Sequence, residues 1–183
     1  MVHSKLIHKL QAFGINGLLS KGITAFLHGR SQCVVVENRY SSWSMVIRGV
    51  PQGSVLGPML FVLFINDISN ITVNGLFTKL YADDLKLYTS IISTDDSNNL
   101  QDVLSSLLVW SKDWQLEVNA SKSHVVHLHK NNPLMEYYFD GKRIESCDLV
   151  KHIGVDIDSV LHFDEHMDRI VAKAYSRIYR FVI

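Results

Sequence analysis

The sequence predicts an α+β fold, in which helices pack against a mostly antiparallel sheet. Two observations indicate this class. Several segments carry apolar residues at the three- and four-residue spacing of helices, and short segments between them have the composition of strands joined by tight turns. The chain has 183 residues, 47% of them hydrophobic and 20% charged, which suits one domain with a core of ordinary size.

The first third of the chain predicts two helices, a hairpin and a third helix. The first two helices end at glycines, and the hairpin strands are rich in β-branched residues. The third helix tolerates a proline because the N–H groups of a first turn have no intrahelical partners. The predicted segments are a helix from Ser4 to Phe13, a helix between Asn16 and Gly29, strands 32–36 and 43–47 with a turn at Asn38, a loop at 49–53 and a helix from Ser54 to Phe64.

The rest of the chain predicts short strands around one long amphipathic helix, and a closing helix. The long helix is the clearest of all, because its leucines and valine recur on one face. Trp43, Trp110 and Trp114 fall at the period of their apolar neighbours and are predicted to lie in the core. The predicted segments are strands 76–80 and 85–88, a helix from Asp95 to Trp114, strands 123–128, 136–139 and 144–150 with a turn at Asp140-Gly141, a strand at 153–157 and a helix from Phe163 to Ile183.

The bulk composition limits the classes of function and location. Lysine plus arginine equals aspartate plus glutamate at 18 each, so a nucleic-acid-binding function would need local placement of charge. Cys33 and Cys147 stand in no metal-ligand spacing and are predicted to be free thiols. The sequence shows neither a signal peptide nor an apolar segment long enough for a bilayer. We therefore expect an intracellular, soluble protein of the nucleus or cytoplasm with no membrane partner.

Two adjacent carboxylates, Asp83 and Asp84, lie between two predicted strands. Strands of this kind usually turn through Gly, Asn or Ser, and carboxylate oxygens are hard ligands suited to Mg²⁺ or Mn²⁺. Two such ions can stabilise both the attacking and the leaving oxygen of phosphoryl transfer. Taken alone, however, an Asp-Asp turn is more often solvated and without a ligand.

The residues on both sides of this pair favour a metal site over a solvated turn. The matching segments are Arg48 to Pro58 with Leu60-Phe61 and Ile65 to Asp67, then Tyr81-Ala82-Asp83-Asp84, then Trp110-Ser111, Trp114 to Leu116, Asn119 and Lys122-Ser123, and finally His152 to Asp158 with Phe163 and His166. In this order and separation they resemble motifs B, C, D and E of the reverse transcriptases of non-LTR (LINE-like, jockey-type) retrotransposons. The resemblance covers nearly the whole chain, and the motifs are highly specific when taken jointly.

The resemblance implies a role for each matching residue. Asp83 would be a ligand of the catalytic metal, and Asp84 its less essential neighbour. Tyr81 and Ala82 would lie beside the primer end and the incoming nucleotide. The further residues implied are Gln52 and Gly53, which would line the nucleotide and template pocket, and Lys122, a candidate proton donor to the leaving pyrophosphate. The alternatives are a turn residue that caps the next helix for Gln52 and an exposed surface lysine for Lys122.

The resemblance also implies an activity, its partners and a fold. The activity is that of an RNA-directed DNA polymerase, a nucleotidyltransferase that uses an RNA template, a DNA primer and deoxynucleotides with two Mg²⁺ ions, or with Mn²⁺. The fold is a polymerase palm over residues 1–160, truncated before motif A, and residues 161–183 begin a thumb helix. The oligomeric state is not predicted.

One expected ligand falls outside the sequence. Met1 to Leu6 resembles the segment that follows motif A, so the Asp that ends motif A would stand just before residue 1. We therefore expect the isolated chain to be inactive. The alternative is a non-catalytic remnant that binds RNA or a partner protein, or that has no function.

Overall fold

The computed structural model describes residues 1–73 and 75–181, with all their side chains except those of Arg180 and Phe181. These residues form an α+β structure, which confirms the predicted class. The helices are α1 (His3–Ala12), α2 (Gly17–Leu27), α3 (Leu56–Ile65), α4 (Thr94–Trp114) and α5 (Asp164–Phe181), with 3₁₀ helices at Asn66–Ile71 and Ala120–Lys122. The strands are β1 (Ser31–Gln32), β2 (Val35–Val36), β3 (Arg39–Tyr40), β4 (Ser44–Met45), β5 (Leu76–Tyr81), β6 (Asp84–Thr89), β7 (His124–Val125), β8 (Tyr138–Phe139), β9 (Lys142–Arg143), β10 (Glu145–Ser146), β11 (Leu149–His152) and β12 (Val155–Asp158).

The strands form six separate pairs within the described residues, rather than the single sheet that the sequence predicted. Five pairs are antiparallel, and β7 with β10 is parallel. Eight of the twelve strands are two residues long, so each offers only a few ladder hydrogen bonds, too few to join neighbouring pairs into a sheet. The predicted antiparallel pairing is confirmed, but the prediction that the strands form one continuous sheet was wrong.

The chain divides into two compact units. The first comprises Met1–Ser90 and Asp102–Val118, and the second comprises Ile91–Gln101 and Asn119–Ile183. In the first unit α1 packs on α2 and α3, because the leucines of α1 recur on one face. The buried apolar residues of this unit are Leu6, Leu10, Ile23, Leu27, Leu60, Phe64, Ile65, Ile68, Leu76, Val103, Leu107 and Trp110.

A buried lysine on α1 joins three helical segments of the first unit. The Lys9 side chain is 4% exposed, and its Nζ donates to Phe64 O and Asp67 Oδ1, each at 2.5 Å. The same Nζ lies 3.8 Å from the ring centroid of Trp114 and 4.7 Å from those of Trp110 and Phe64. Burial lowers the pKa of Lys9, and the hydrogen bond and charge of Asp67 oppose that shift. Trp110 Nε1 also donates to Asp67 Oδ1, so one carboxylate links α1 to α4.

The segment between α2 and α3 differs from its prediction in the length of its strands and in the burial of Trp43. The chain reverses at Asn38, as expected, and β2 pairs with β3 while β1 pairs with β4. Trp43 was predicted in the core, but it is 69% exposed. It lies between β3 and β4, where strands of two residues provide no layer to cover it. The predictions for Trp110, which is buried, and Trp114, which is half-buried, are confirmed.

The second unit is built from the remaining short strands and α5. The predicted turn at Asp140-Gly141 joins β8 to β9, and Tyr137, Phe139 and Ile144 are buried around it. The predicted strand 123–128 shortens to β7, strand 144–150 divides into β10 and β11, and β12 begins only after the turn at 153–154. Cys33, in the first unit, and Cys147, in this one, are free thiols, as predicted.

The last helix, α5, begins at Asp164, one residue after the predicted start at Phe163, and the last two residues of the predicted helix, Val182 and Ile183, lie outside the described residues. Among residues 1–73 and 75–181, none of the helices has the combination of length and apolarity that crossing a bilayer requires.

Candidate functional site

The Asp83-Asp84 pair lies at the end of a regular hairpin. Strands β5 and β6 pair along their whole length, from Leu76 opposite Thr89 to Tyr81 opposite Asp84. The connection is therefore a two-residue turn formed by Ala82 and Asp83. Ala82 has φ +49°, the left-handed region that such turns require and that favours glycine. The predicted strands and turn are confirmed, and the register places both carboxylates at the hairpin end.

The two faces of this hairpin differ in burial. Successive side chains of a strand point to opposite faces, so each face takes alternate residues of β5 and β6. One face is half-buried or buried and consists of Leu76, Thr78, Leu80, Leu85, Leu87 and Thr89. The other face is exposed and consists of Phe77, Lys79, Tyr81, Asp84, Lys86 and Tyr88.

Sequence reasoning treated these strands as apolar flanks and missed the exposed face. The signal was present, because Phe77, Lys79 and Tyr81 are spaced by two, as are Lys86 and Tyr88. A polar or aromatic residue at every second position is the pattern of a strand face that meets solvent or a ligand.

The carboxylates at the hairpin end fit a divalent cation such as Mg²⁺ that takes only one or two ligands from the protein. Asp83 and Asp84 supply exposed carboxylate oxygens from adjacent positions. Mg²⁺ in nucleotide-processing proteins is commonly held by one or two carboxylates, and water and substrate phosphates complete its shell. Within the described part of the chain no group of three or more His, Cys, Asp or Glu side chains is arranged to enclose a metal. The pair therefore suits an ion that arrives with a phosphate ligand.

The residues predicted to line the nucleotide pocket lie in a turn before α3, in the same unit as the hairpin. Ser54 N donates to Pro51 O at 3.3 Å, and Gly53 has φ +79°, so the turn over Gln52-Gly53 requires a residue without a side chain at its third position. Ser54 Oγ accepts from Gly57 N at 3.0 Å and caps α3. Gln52 and Gly53 are both exposed, and the cap is made by Ser54 rather than by Gln52.

Residues 1–3 contact the segment that precedes this turn. Val2 forms a bridge with Arg48, and Gly49 N donates to Met1 O at 2.8 Å. The ring of His3 is buried, and its Nε2 lies 2.9 Å from Gly49 O. The segment that resembles the start of motif B is therefore tied to residues 1–3 by hydrogen bonds on both backbone and side chain.

Lys122 and the motif E segment belong to the second unit. Lys122 ends the 3₁₀ helix Ala120–Lys122, where Asn119 caps the turn by accepting from Ser121 N, and its side chain is exposed. The motif E segment forms the β11–β12 hairpin. Both features therefore lie in the second unit, whereas the Asp83-Asp84 hairpin lies in the first, and the role of Lys122 stays a prediction.

A buried carboxylate joins the β11–β12 hairpin to α5. Asp156 is 7% exposed and forms an ion pair with Arg169 Nε, while Arg169 Nη2 donates to Gly154 O at 2.9 Å. The Arg169 hydrogen bond holds the pKa of Asp156 below its usual range. His166 Nδ1 accepts from Asp156 N at 3.2 Å. The motif E hairpin and the start of α5 thus form one packed piece.

The acidic hairpin, the glycine turn before an apolar helix and the hairpin that carries α5 define a class of protein. The chain belongs to the reverse transcriptase (RNA-dependent DNA polymerase) family, whose model matches residues 1–157. Within this family it is a reverse transcriptase segment of the non-LTR retrotransposon kind, and its curated relatives include polymerases of the mobile element jockey.

Three relatives illustrate the similarity. The chain is 28% identical over 158 residues to the RNA-directed DNA polymerase from mobile element jockey of Drosophila melanogaster, which covers 81% of this chain and 17% of that protein. It is 30% identical over 166 residues to the probable RNA-directed DNA polymerase from transposon BS of the same species, which covers 85% and 18%. It is 29% identical over 184 residues to the jockey polymerase of Drosophila funebris, which covers 96% and 20%. The chain thus spans a fifth or less of the length of these relatives.

Proposed function

We propose that this chain is the palm segment of an RNA-directed DNA polymerase that copies an RNA template by adding deoxynucleotides to a DNA primer. The observation that carries the proposal is the two-residue turn that presents Asp83 and Asp84 to solvent at the end of a fully paired hairpin. Residues 1–160 form the palm segment in this proposal, and residues 161–183 begin the thumb.

Each residue of the site has a part in the proposed reaction. Asp83 and Asp84 hold Mg²⁺, which when bound neutralises charge on the phosphates of the incoming nucleotide. Tyr81 and Ala82 border the primer end. The exposed turn over Gln52-Gly53 leaves its backbone open to close approach by a nucleotide. Lys122 gives a proton to the leaving pyrophosphate.

A polypeptide of these 183 residues alone is proposed not to extend primers. Asp83 and Asp84 come from one turn and reach an ion from one side, so water and substrate complete its shell. Two-ion phosphoryl transfer requires ligands for the ion beside the primer hydroxyl as well as for the ion beside the leaving group. Proteins that lose one preorganised charge-stabilising group typically lose about 10²–10³ in rate.

Metal binding tests the proposed role of the hairpin without measuring activity. Titration of the chain with Mn²⁺, followed by the electron paramagnetic resonance signal of free Mn²⁺, should reveal one weak site. Asp83→Asn should abolish this site, and Asp84→Asn should weaken it. Asp95→Asn removes an exposed carboxylate of α4 and serves as the matched control. Equal binding by the wild type and Asp83→Asn would contradict the proposed metal site.

Primer extension tests the proposed reaction. The 183-residue chain should give no extension with Mg²⁺ and at most a trace with Mn²⁺. A chimera in which the preceding polymerase sequence of the Drosophila melanogaster jockey relative is joined ahead of residue 1 should extend a primer on RNA. Asp83→Asn should reduce the activity of the chimera about 100-fold or more. Chimera activity that does not depend on Asp83 would overturn the proposed function.

A further inference from the structure

A polar ring lies on the buried face of α1. His3, the first residue of the helix, is 6% exposed and shares this face with Leu6 and Leu10. Burying a polar group is costly unless it forms a hydrogen bond, and this ring has its partner far along the chain. Its Nε2 lies 2.9 Å from Gly49 O, in the segment that precedes the Gln52-Gly53 turn. The contact therefore links α1 directly to the segment that leads into that turn.

The ring of His3 can make this contact in only one way. A carbonyl oxygen only accepts, so Nε2 carries the hydrogen and donates to Gly49 O. The ring of His28 packs edge-on against that of His3, with centroids 5.5 Å apart and an angle of 60° between the planes. His28 is in turn held by α2, because its Nδ1 lies 3.0 Å from Thr24 O one helical turn earlier. The donor of His3 is therefore oriented by contacts from two helices.

Gly49 is the residue of this segment whose backbone has the most freedom. Its φ is +81°, a conformation that favours glycine, and a Cβ added there would meet nothing within 4 Å. Both of its polar backbone groups are nevertheless held, since its N–H donates to Met1 O and its carbonyl accepts from His3. The conformation of Gly49 is therefore set by hydrogen bonds to residues 1 and 3 rather than by steric contacts at its Cα.

A short and stiff connection transmits the orientation of Gly49 to the turn. Proline has a fixed φ and restricts the residue before it to extended conformations, so Val50 and Pro51 add little freedom. Pro51 O then accepts from Ser54 N at 3.3 Å and from Ser54 Oγ at 2.7 Å, and these bonds close the turn. The position of the Gln52-Gly53 backbone therefore follows from the direction of the Gly49 carbonyl.

The other side of the turn is held independently by α3. Ser54 Oγ accepts from Gly57 N at 3.0 Å. A Cβ added at Gly57 would lie 2.9 Å from Ser54 Oγ and 3.0 Å from Pro51 O, so the turn and the helix are in close contact. This packing limits movement of the turn toward α3. A change at His3 should therefore act on the side of the turn that follows Gly49.

We infer that His3 is a positioning residue for the nucleotide pocket, whose Nε2–H orients the Gly49 carbonyl and, through it, the backbone of the Gln52-Gly53 turn. The inference rests on the proposed function, in which that turn borders the incoming deoxynucleotide. His3 itself is buried and acts through Gly49 rather than on the substrate. A ring that only filled space in the core would instead affect the stability of the whole first unit.

The position of the hydrogen on the ring gives the first test. Proton–nitrogen correlation spectra of the 183-residue chain at about pH 8, where an ordinary histidine is neutral, distinguish the two neutral forms of each ring. His3 should carry its hydrogen on Nε2, and its signal is identified by its loss in His3→Leu. A ring with its hydrogen on Nδ1 would overturn the inference.

Amide hydrogen exchange tests whether the ring fixes the turn. In His3→Leu, which keeps an apolar side chain but has no donor, the amides of Gly49 and Ser54 should exchange about tenfold faster, as expected for the loss of one hydrogen bond. His3→Gln supplies an amide donor and should stay within about twofold of the wild type. Val103→Ala removes buried apolar volume from α4 and should accelerate exchange of core amides while leaving these two unchanged. Unchanged exchange at both amides in His3→Leu, or an equal acceleration across the unit, would contradict the inference.

Kinetics of the polymerase chimera connect the turn to the nucleotide. His3→Leu should raise KM for the deoxynucleotide about tenfold with kcat nearly unchanged, because a displaced turn weakens nucleotide binding and leaves the carboxylates in place. His3→Gln should restore the KM of the unsubstituted chimera. Val103→Ala should lower the apparent kcat through loss of folded enzyme and leave KM as it was. An unchanged KM in His3→Leu would overturn the inference, whereas an unsubstituted chimera without activity would count against the proposed function.

Discussion

Ala82 adopts a backbone conformation that L-residues avoid, at the one position between the strands where the proposed primer end would lie. Its φ of +49° follows from the register, because a two-residue connection between paired strands requires a left-handed first residue. Left-handed backbone costs an ordinary residue roughly 1 kcal/mol, and it persists only where the surrounding structure imposes it. The paired strands of the hairpin provide that constraint here.

Two substitutions at position 82 should therefore act in opposite directions. Ala82→Gly removes the steric cost and should raise the free energy of unfolding by about 0.5–1 kcal/mol. Ala82→Val places a β-branched residue at positive φ and should lower it by about 1 kcal/mol or more. Urea unfolding followed by circular dichroism measures both values. A stabilising effect of valine would show that the turn differs from the one described here.

Lys9 is a residue whose role the sequence did not reveal. The helical pattern of α1 correctly predicted that Leu6 and Leu10 lie on the buried face. It gave no reason to bury a lysine beside them, because the partners of Lys9 lie at positions 64, 67, 110 and 114. Contacts over such distances in the chain depend on tertiary packing, which no local pattern contains.

Removing either partner of the Lys9–Asp67 pair should destabilise the first unit unequally. Asp67→Ala leaves an ammonium buried among aromatic rings and should cost about 3–5 kcal/mol. Lys9→Met leaves a carboxylate that is 30% exposed and still accepts from Trp110, so its cost should be smaller, about 1–3 kcal/mol. The double variant should lie close to Lys9→Met. Urea unfolding of all three completes a double-mutant cycle, and additive costs would show that the pair is not coupled.

At the scale of elements, helices and strands were located best where the spacing of apolar residues was regular and the ends carried capping or turn residues. Helix α4 and strands β5 and β6 were located to within one residue, because their apolar spacing is unambiguous and their ends carry capping or turn residues. The strands predicted within segments 32–47 and 123–150 were located less accurately. Their β-branched residues predict strands, but how many residues pair depends on which neighbour is present, and here pairing stops after two.

The junction of α5 with the β11–β12 hairpin should weaken in acid. The Arg169 hydrogen bond lowers the pKa of Asp156, and N–H donors led by that of Phe163 lower the pKa of Asp158. The folded state therefore binds fewer protons than the unfolded state. The stabilisation is complete above the unfolded pKa of about 4 and is lost as pH falls through the lower folded values.

Urea unfolding by circular dichroism between pH 6 and pH 3 would measure this dependence. Asp156→Asn should be less stable than the wild type at neutral pH and should lose less stability on acidification. Asp148→Asn, which removes an exposed carboxylate of the same unit, should follow the wild-type curve. Parallel curves for Asp156→Asn and the wild type would contradict the assigned role of Asp156.

At the scale of the whole molecule, family membership was predictable because it depends on the order and spacing of motifs B to E, which can be read directly from the sequence. The match over residues 1–157 confirms that interpretation. The exposed face of the β5–β6 hairpin was not predicted, although its residues are all present in the sequence. It became apparent only from the register of β5 and β6, in which Lys79 lies opposite Lys86 and both share a face with Asp84.

The burial of Lys9 has an optical consequence for the chain. Indole emission depends on the polarity of its surroundings and on the field of nearby charges, and Trp110 and Trp114 both lie within 5 Å of the Lys9 ammonium. Trp43 is exposed and should emit as an indole in water whether the chain is folded or not. The change in tryptophan emission on unfolding should therefore come mainly from Trp110 and Trp114. Emission from Trp110 and Trp114 should therefore report on the packing of α1, α3 and α4, and emission from Trp43 should serve as an internal reference.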